Sequence, residues 1–423
     1  MLSSLLIILY TTLLIFFLLR LSRNFRHHLS ARQVTISFII KILFGIAYGF
    51  IFFKFYHGDD TWRYFESSQD EYQKLLHHPF QFLRDVFMET SGSTSLEAVY
   101  DTRNSYWNNI SEVLFIKMLA VFNVFSFGNY YVNVVFFCFV GYIGNLLLFR
   151  LLVHHFPNAS PWLLIVIFYI PVIVFWLSGI RKDGLLFLAL TMVLFYFDRI
   201  IRREKNTIKN ILFFLSGLIG LYLIRNLMLM CITPSLFAWF LNRTFRINAI
   251  LSFSGVTILA IFLFFASGSI RGLPDLPQKV ANRQYDFFNL KANTRLPLDS
   301  LKTSPSSYLQ VLPQALNHTF LRPYLPESKG ILQVISALDV LFFFIVMIWA
   351  LVFQDKNTQN IFHNSLILSC ICTALFGYIL IGYTVPFPGA IVRYKVIFEL
   401  LFLCVFAVIA IKPKGKLINI MLN

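Results

Sequence analysis

Residues 34–64 read VTISFIIKILFGIAYGFIFFKFYHGDDTWRY, and the change of character inside this stretch decides the class of fold. From Val34 to Phe55 the chain is almost continuously apolar for about as many residues as an α-helix needs to cross a ~30 Å hydrocarbon core. At His57-Gly58-Asp59-Asp60 it turns abruptly polar, as a helix does on leaving a bilayer. Further apolar runs fall near 3–19, 129–150, 161–178, 184–198, 210–224, 226–241, 247–267, 331–353, 361–384 and 396–411. With 34–55 they predict an all-α, polytopic integral membrane protein of about 11 transmembrane helices. Composition agrees: 57% of the 423 residues are hydrophobic and 13% charged, which excludes an ordinary soluble enzyme. The 49 Phe against 15 Pro exclude a disordered or collagen-like chain. The first run has neither the basic n-region nor the small-residue cleavage site of a secretory signal and is read as a spanning helix.

The net charge of +16 would suggest nucleic acid in a soluble protein. Here the basic residues gather in short loops between apolar runs, which is a topology signal. Counting 113–127 as a span would set Arg199, Arg202, Arg203, Lys205 and Lys209 opposite Arg20, Arg23, Arg26 and Arg32. That segment is therefore expected to be a membrane-surface helix. The short loops on one side, with Lys412, Lys414 and Lys416 of the tail, then hold 16 Lys/Arg, and those on the other hold five: Arg181, Lys182, Arg225, Arg393 and Lys395. The C-terminus is expected on the cytoplasmic side. The whole chain, 1–423, is read as one transmembrane domain with two long external loops. The first, 57–112, carries ten of the 20 acidic residues; the second, 268–330, is basic and Pro-rich, with eight Lys/Arg against four Asp/Glu and seven prolines.

Asp59 and Asp60 stand at the expected water interface. A carboxylate there can serve as general base toward a hydroxyl, or with His57 hold a hard divalent cation. Neighbours on a helix point about 100° apart, so one of the two is expected to face a pocket, and Asp59 is favoured. Capping of the next helix would explain the same pair without chemistry. In Trp176-Leu177-Ser178-Gly179-Ile180-Arg181-Lys182-Asp183-Gly184 the glycines permit a tight turn. Arg181 and Lys182 can grip a phosphate, one as a fork and one as a point charge, or snorkel to the headgroups with Asp183 as counter-ion. Arg225, between two apolar runs, is either a ligand-binding residue or an interface marker. Arg393 and Lys395 run against the positive-inside bias, which suits an anionic ligand such as a lipid phosphate or, equally, a headgroup anchor. Arg322-Pro323-Tyr324-Leu325-Pro326 reads as a stiff connector. Trp62, Tyr64, Tyr100, Tyr106 and Trp107 can stack a sugar. The pairs His27-His28, His77-His78 and His154-His155 read as interfacial side chains, and the five cysteines as small buried hydrophobes. No nucleotide loop, zinc-protease or nucleophile-elbow motif is present.

This arrangement resembles the GT-C superfamily of polytopic membrane glycosyltransferases, in a poorly characterised bacterial branch. The resemblance rests on Asp59-Asp60 after a membrane helix, the surface helix beyond it, the hairpin Phe175–Asp183, and Val392-Arg393-Tyr394-Lys395 with Phe320-Leu321-Arg322-Pro323-Tyr324. It implies a sugar moved from a polyprenyl-phosphate-linked donor to a glycan or lipid-linked acceptor on the non-cytoplasmic face of a bacterial inner membrane. It further implies Asp59 or Asp60 as general base or ligand of a divalent cation, Mg or Mn, together with His57. Arg181, Lys182, Arg225, Arg393 and Lys395 would hold the carrier phosphate, and Trp62, Tyr64 and Trp107 the acceptor. The expected partners are thus the lipid-linked donor, the glycan acceptor and membrane lipids, with no nucleic acid. The chain departs from the family in an additional N-terminal helix and in lacking a clear second acidic motif, for which Asp183 or Asp275 are the candidates. A polysaccharide polymerase or ligase would need the same cationic face, and a lipid-linked-sugar flippase would need charges deep in several helices.

Overall fold

The structure is a computed structural model and describes residues 2–410, apart from 89, 96, 102–104, 271, 291–293, 329 and 355–360. The expected basic residues Lys412, Lys414 and Lys416, and the loop at Lys356, lie outside the described residues. The described chain is helical and no strand forms within it. Contacts divide it into two compact units, Met1–Ser93 with Ser105–Arg225, and Thr94–Asn104 with Asn226–Asn423. The division falls at Arg225-Asn226, between two of the apolar runs. Residues 94–104 of the expected first loop belong with the second unit.

The first unit comprises α1 (Leu2–Leu21), α2 (Ala31–Tyr56), α3 (Asp59–His77), α4 (Pro79–Met88), α5 (Tyr106–Ser126), α6 (Tyr130–His155), α7 (Ser160–Phe168), α8 (Pro171–Trp176), α9 (Lys182–Ile201) and α10 (Thr207–Arg225). Small residues set its close contacts. A Cβ on Gly49 of α2 would stand 2.3 Å from the Tyr130 ring, and one on Gly144 of α6 would meet α9 at 3.1 Å. Ser37 on α2 shares a 2.6 Å hydrogen bond with Tyr142 on α6, and His155 meets Asp198 at 2.9 Å. The C-terminal end of α2 therefore lies beside the N-terminal ends of α6 and α9.

Where one helix was expected over 161–178, the chain breaks into α7 and α8, because Pro171 lacks an N–H and disfavours helix in the residue before it. The carbonyls left free at this break and at the end of α8, inside an apolar bundle, need donors. Asn145 donates to the Ile167 carbonyl (2.7 Å), and the Lys41 ammonium, itself 4% exposed, donates to Leu177 (3.0 Å).

The expected surface helix at 113–127 begins earlier, at Tyr106, because the Ser105 hydroxyl caps its first turn, and it ends at Phe127 and Gly128, both at positive φ. Its first turn, YWNN, is too polar to stand out by hydropathy. Contacts from both halves of α5 fall on the first turns of α6: Phe115 on Phe137, and Asn123 on Asn133 (2.6 Å). It also runs beside amphipathic α3, where Asn123 donates to the Ser68 hydroxyl at 2.9 Å, and its Ser111 meets Lys182 at the start of α9.

The second unit contains α11 (Leu227–Phe245), α12 (Ala249–Ala266), α13 (Leu276–Phe288), α14 (Pro305–Leu316), α15 (Ile331–Val352), α16 (Ser365–Thr384) and α17 (Pro388–Ile409). Most of the expected basic loop is folded. Its helices α13 and α14 pack Val280, Tyr308 and Val311 against Tyr383 of α16. Gln284 staples the segment between them, donating to the Asp299 and Tyr383 carbonyls and accepting from the Leu301 N–H at 2.8–3.0 Å.

Among the described residues nine helices are long and apolar enough to cross a membrane: α1, α2, α5, α6, α9, α10, α12, α15 and α16. Of the eleven expected, the broken α7–α8 is too short, α11 has polar Asn242 and Arg243 in its last turn, and α17 carries Arg393, Lys395 and Glu399. The apolar helices make this an integral membrane protein of all-α class.

Candidate functional site

Three successive residues at positive φ, His57 (53°), Gly58 (95°) and Asp59 (42°), join α2 to α3. Glycine adopts this conformation freely and aspartate tolerates the left-handed region better than most residues. The Trp62 indole donates to the Gly49 carbonyl (3.0 Å) and stacks on Tyr130 (4.0 Å), folding the first turn of α3 back along α2. Thr61 completes the clasp with a 2.7 Å hydrogen bond to the Tyr130 hydroxyl. Asp59 and Asp60 are thereby aimed at the hairpin between α8 and α9.

That hairpin is buried. Ser178 and Ile180 are fully enclosed, and a Cβ at Gly179 would stand 2.5 Å from the Tyr48 ring, so glycine is required for the approach. Arg181, 3% exposed, spreads its fork over both carboxylates: one nitrogen donates to Asp59 (2.6 Å) and to the Tyr48 hydroxyl (2.8 Å), the other to Asp60 (2.6 Å). The carboxylates themselves are 36% and 39% exposed, held from behind and open in front.

The surroundings balance in charge. Arg63 bridges Asp60 (3.8 Å) and Glu112 (3.4 Å), Lys182 donates to the Ser111 hydroxyl (3.1 Å), and Arg225 reaches Asp183 (3.3 Å). Four cations thus face four carboxylates. Burial, and then the charges of Asp60 and Glu112, push the Tyr64 phenol up to about 12, so it remains a hydrogen-bond donor at neutral pH.

The structure therefore brings Asp59, Asp60, Arg181, Lys182 and Arg225 to one end of the first unit. Arg181, read as a phosphate ligand, is spent on the two aspartates. Of the expected acceptor aromatics, Trp62 and Tyr64 are engaged in packing. Trp107 stands edge-on to Tyr222 (5.5 Å), and its buried indole N–H has no partner among the described residues. His57 is exposed, and among the described residues no group of three or more His, Cys, Asp or Glu side chains is gathered; Asp59 and Asp60 are the pair left to hold a hard divalent cation, which one or two carboxylates can bind together with waters and a substrate phosphate.

Arg393 and Lys395 belong to the second unit. Arg393 lies over the Tyr394 ring (4.5 Å) and donates to its hydroxyl. Lys395, 2% exposed, pairs with Glu399 (3.6 Å) and reaches the Thr319 carbonyl (3.4 Å). Glu399 in turn lies near Asp339 and Tyr378. Sequence reasoning gave no role to Lys41, Tyr48 or Glu112; a lone charge in an apolar run was the available signal for Lys41.

Compared with protein-family models, curated proteins and solved structures, the chain matches none. The likeness to the GT-C superfamily rests on its own motifs alone.

Proposed function

We propose that the chain is a membrane glycosyltransferase that moves a sugar from a polyprenyl-phosphate-linked donor to a glycan or lipid-linked acceptor. The observation that carries this reading is the fork of buried Arg181 across Asp59 and Asp60, which leaves two fixed carboxylates half open at one end of a membrane bundle. Arg181 acts as their positioning residue. Asp59, whose second oxygen has no ion pair among the described residues, takes the proton of an acceptor hydroxyl. The acceptor oxygen bonds to the anomeric carbon as the bond from that carbon to the phosphate oxygen breaks, and the lipid phosphate leaves with the electron pair. Arg63, Lys182 and Arg225 supply the positive charge that this leaving group needs. The unspent Trp107 N–H is available to an acceptor hydroxyl. Amphipathic α3, running beside α5, suits a membrane-surface layer beside the site.

The test compares wild type with Asp59→Asn, Asp60→Asn and Arg393→Ala in transfer from a panel of polyprenyl-phosphate sugars to glycan acceptors. A fall of roughly 100-fold or more in Asp59→Asn with donor binding kept supports the base. Turnover unchanged in both aspartate variants sinks the reading and favours a polymerase or ligase. A transporter of lipid-linked sugars is the second reading, favoured by charges buried in apolar helices: Lys41, Asp339, Lys395 and Glu399. Sugar-lipid movement across liposomes without any transfer would support it.

A further inference from the structure

At the end of the first unit away from Asp59, two cavities meet. One, of about 320 Å³, has a mixed wall in which His27, His28, His154, Arg202 and Glu204 gather on its polar part. The other, of about 590 Å³, runs between α6, α9 and α10 over Leu21, Ile143, Leu147, Met192 and Phe213. Phe25, Arg150 and Arg199 line both.

Arg150 stands at the junction in an unusual state. Arg199 and Arg202 are both tied to Glu204 at 2.5 Å, and Arg202 also to Asp198 at 2.7 Å. Arg150 has no ion pair and no hydrogen bond among the described residues. Its guanidinium is held between the rings of Phe25 (5.8 Å) and Phe195 (5.4 Å). Ring faces fix a guanidinium while leaving its in-plane N–H donors unspent, and those donors match two oxygens of a phosphate. Lys209 adds a cation to the wall of the second cavity. Arg150, Arg199, Arg202 and Lys209 thus outnumber Asp198 and Glu204 by two charges.

We infer that this junction binds one anionic phospholipid, its phosphate on Arg150 and an acyl chain along the apolar cavity. The paired cavities decide for a lipid over a free anion: a phosphate ion would leave the aliphatic cavity unfilled, while a lipid fills both with matching chemistry. The helices that form the cavity, α6, α9 and α10, are apolar enough to cross a membrane, so the chain would enter from the bilayer. This goes beyond the glycosyl-transfer reading. The site lies at the far ends of α6 and α9 from Asp59, roughly 30 Å along α9 by helical rise, and neither depends on the other.

Native mass spectrometry tests the inference on the full chain, reconstituted with equal phosphatidylglycerol and phosphatidylcholine and then transferred to detergent. Wild type should retain one phosphatidylglycerol in preference to phosphatidylcholine. Arg150→Gln should lower that retention about tenfold or more, as expected for losing charge-assisted hydrogen bonds. Arg150→Lys, which keeps charge but not the fork, should fall between the two and guards against misfolding of the glutamine variant. Arg246→Gln, in the second unit and outside both cavities, should behave as wild type. Millimolar inorganic phosphate should not displace the lipid. Equal retention of the two lipids by wild type, wild-type retention in both Arg150 variants, an equal loss in Arg246→Gln, or displacement by phosphate would each overturn it.

Discussion

Arg181 is the residue on which the candidate site turns. Its fork satisfies Asp59, Asp60 and the Tyr48 hydroxyl from a position 3% exposed, so truncation removes three hydrogen bonds and leaves two carboxylates facing a buried slot. Removing one partner of a fully buried ion pair costs about 3–5 kcal/mol; the half-open carboxylates here bring the expected loss for Arg181→Met down to about 2–3 kcal/mol. Arg181→Lys should recover little of it, because an ammonium cannot span two carboxylates in one plane. Thermal unfolding in detergent reads both effects, and a Lys variant as stable as wild type would refute the forked role. Asp59 and Arg181 were each conspicuous in the sequence. Their pairing was not, since 122 residues separate them and no local pattern links a turn after one helix to a hairpin before another.

The broken helix α7–α8 is the element that sets the hairpin where it is. It ends inside the bundle because Lys41 and Asn145 accept the burden of its free carbonyls. Lys41→Met keeps the length and apolar body of the side chain but leaves the Leu177 carbonyl without its donor. A buried, unsatisfied group costs about 1–3 kcal/mol, and the loosened hairpin should also lower whatever activity Asp59 supports. Amide exchange over Leu177–Arg181 should rise in Lys41→Met and stay as in wild type along α9; unchanged exchange would argue that Lys41 does not hold the turn. Pro171 announces the break in the sequence, yet an apolar run over 161–178 reads as continuous when hydropathy alone is weighed. The start of α5 was obscured for the opposite reason: its cap and polar first turn look like loop.

For the whole molecule, the membrane class and most helices were legible, since eight of the expected spans coincide with helices long and apolar enough to cross. Side assignment depends on α5. If it lies across the bundle end, His78 and Phe127 face the same compartment, and Arg26, between α1 and α2, faces the other. Single cysteines at these three exposed positions, with half-exposed Cys372 replaced by serine and the buried native cysteines retained, can be labelled with an impermeant maleimide in sealed vesicles. His78→Cys and Phe127→Cys should label together and Arg26→Cys separately; opposite labelling of the first two would make α5 a true span. The division into two units was not legible, because it depends on which distant segments touch and not on any change in composition.

The dependence of α7–α8 on Lys41 and Asn145 also bears on biogenesis. A nine-residue and a six-residue helix are each too short to settle stably in lipid alone, and their broken ends would carry bare carbonyls into hydrocarbon. Both donors belong to α2 and α6, which leave the ribosome before residue 160. The order of the chain therefore supplies a prepared berth: α2 and α6 can stand in the membrane before the fractured segment arrives, and it inserts against protein instead of lipid.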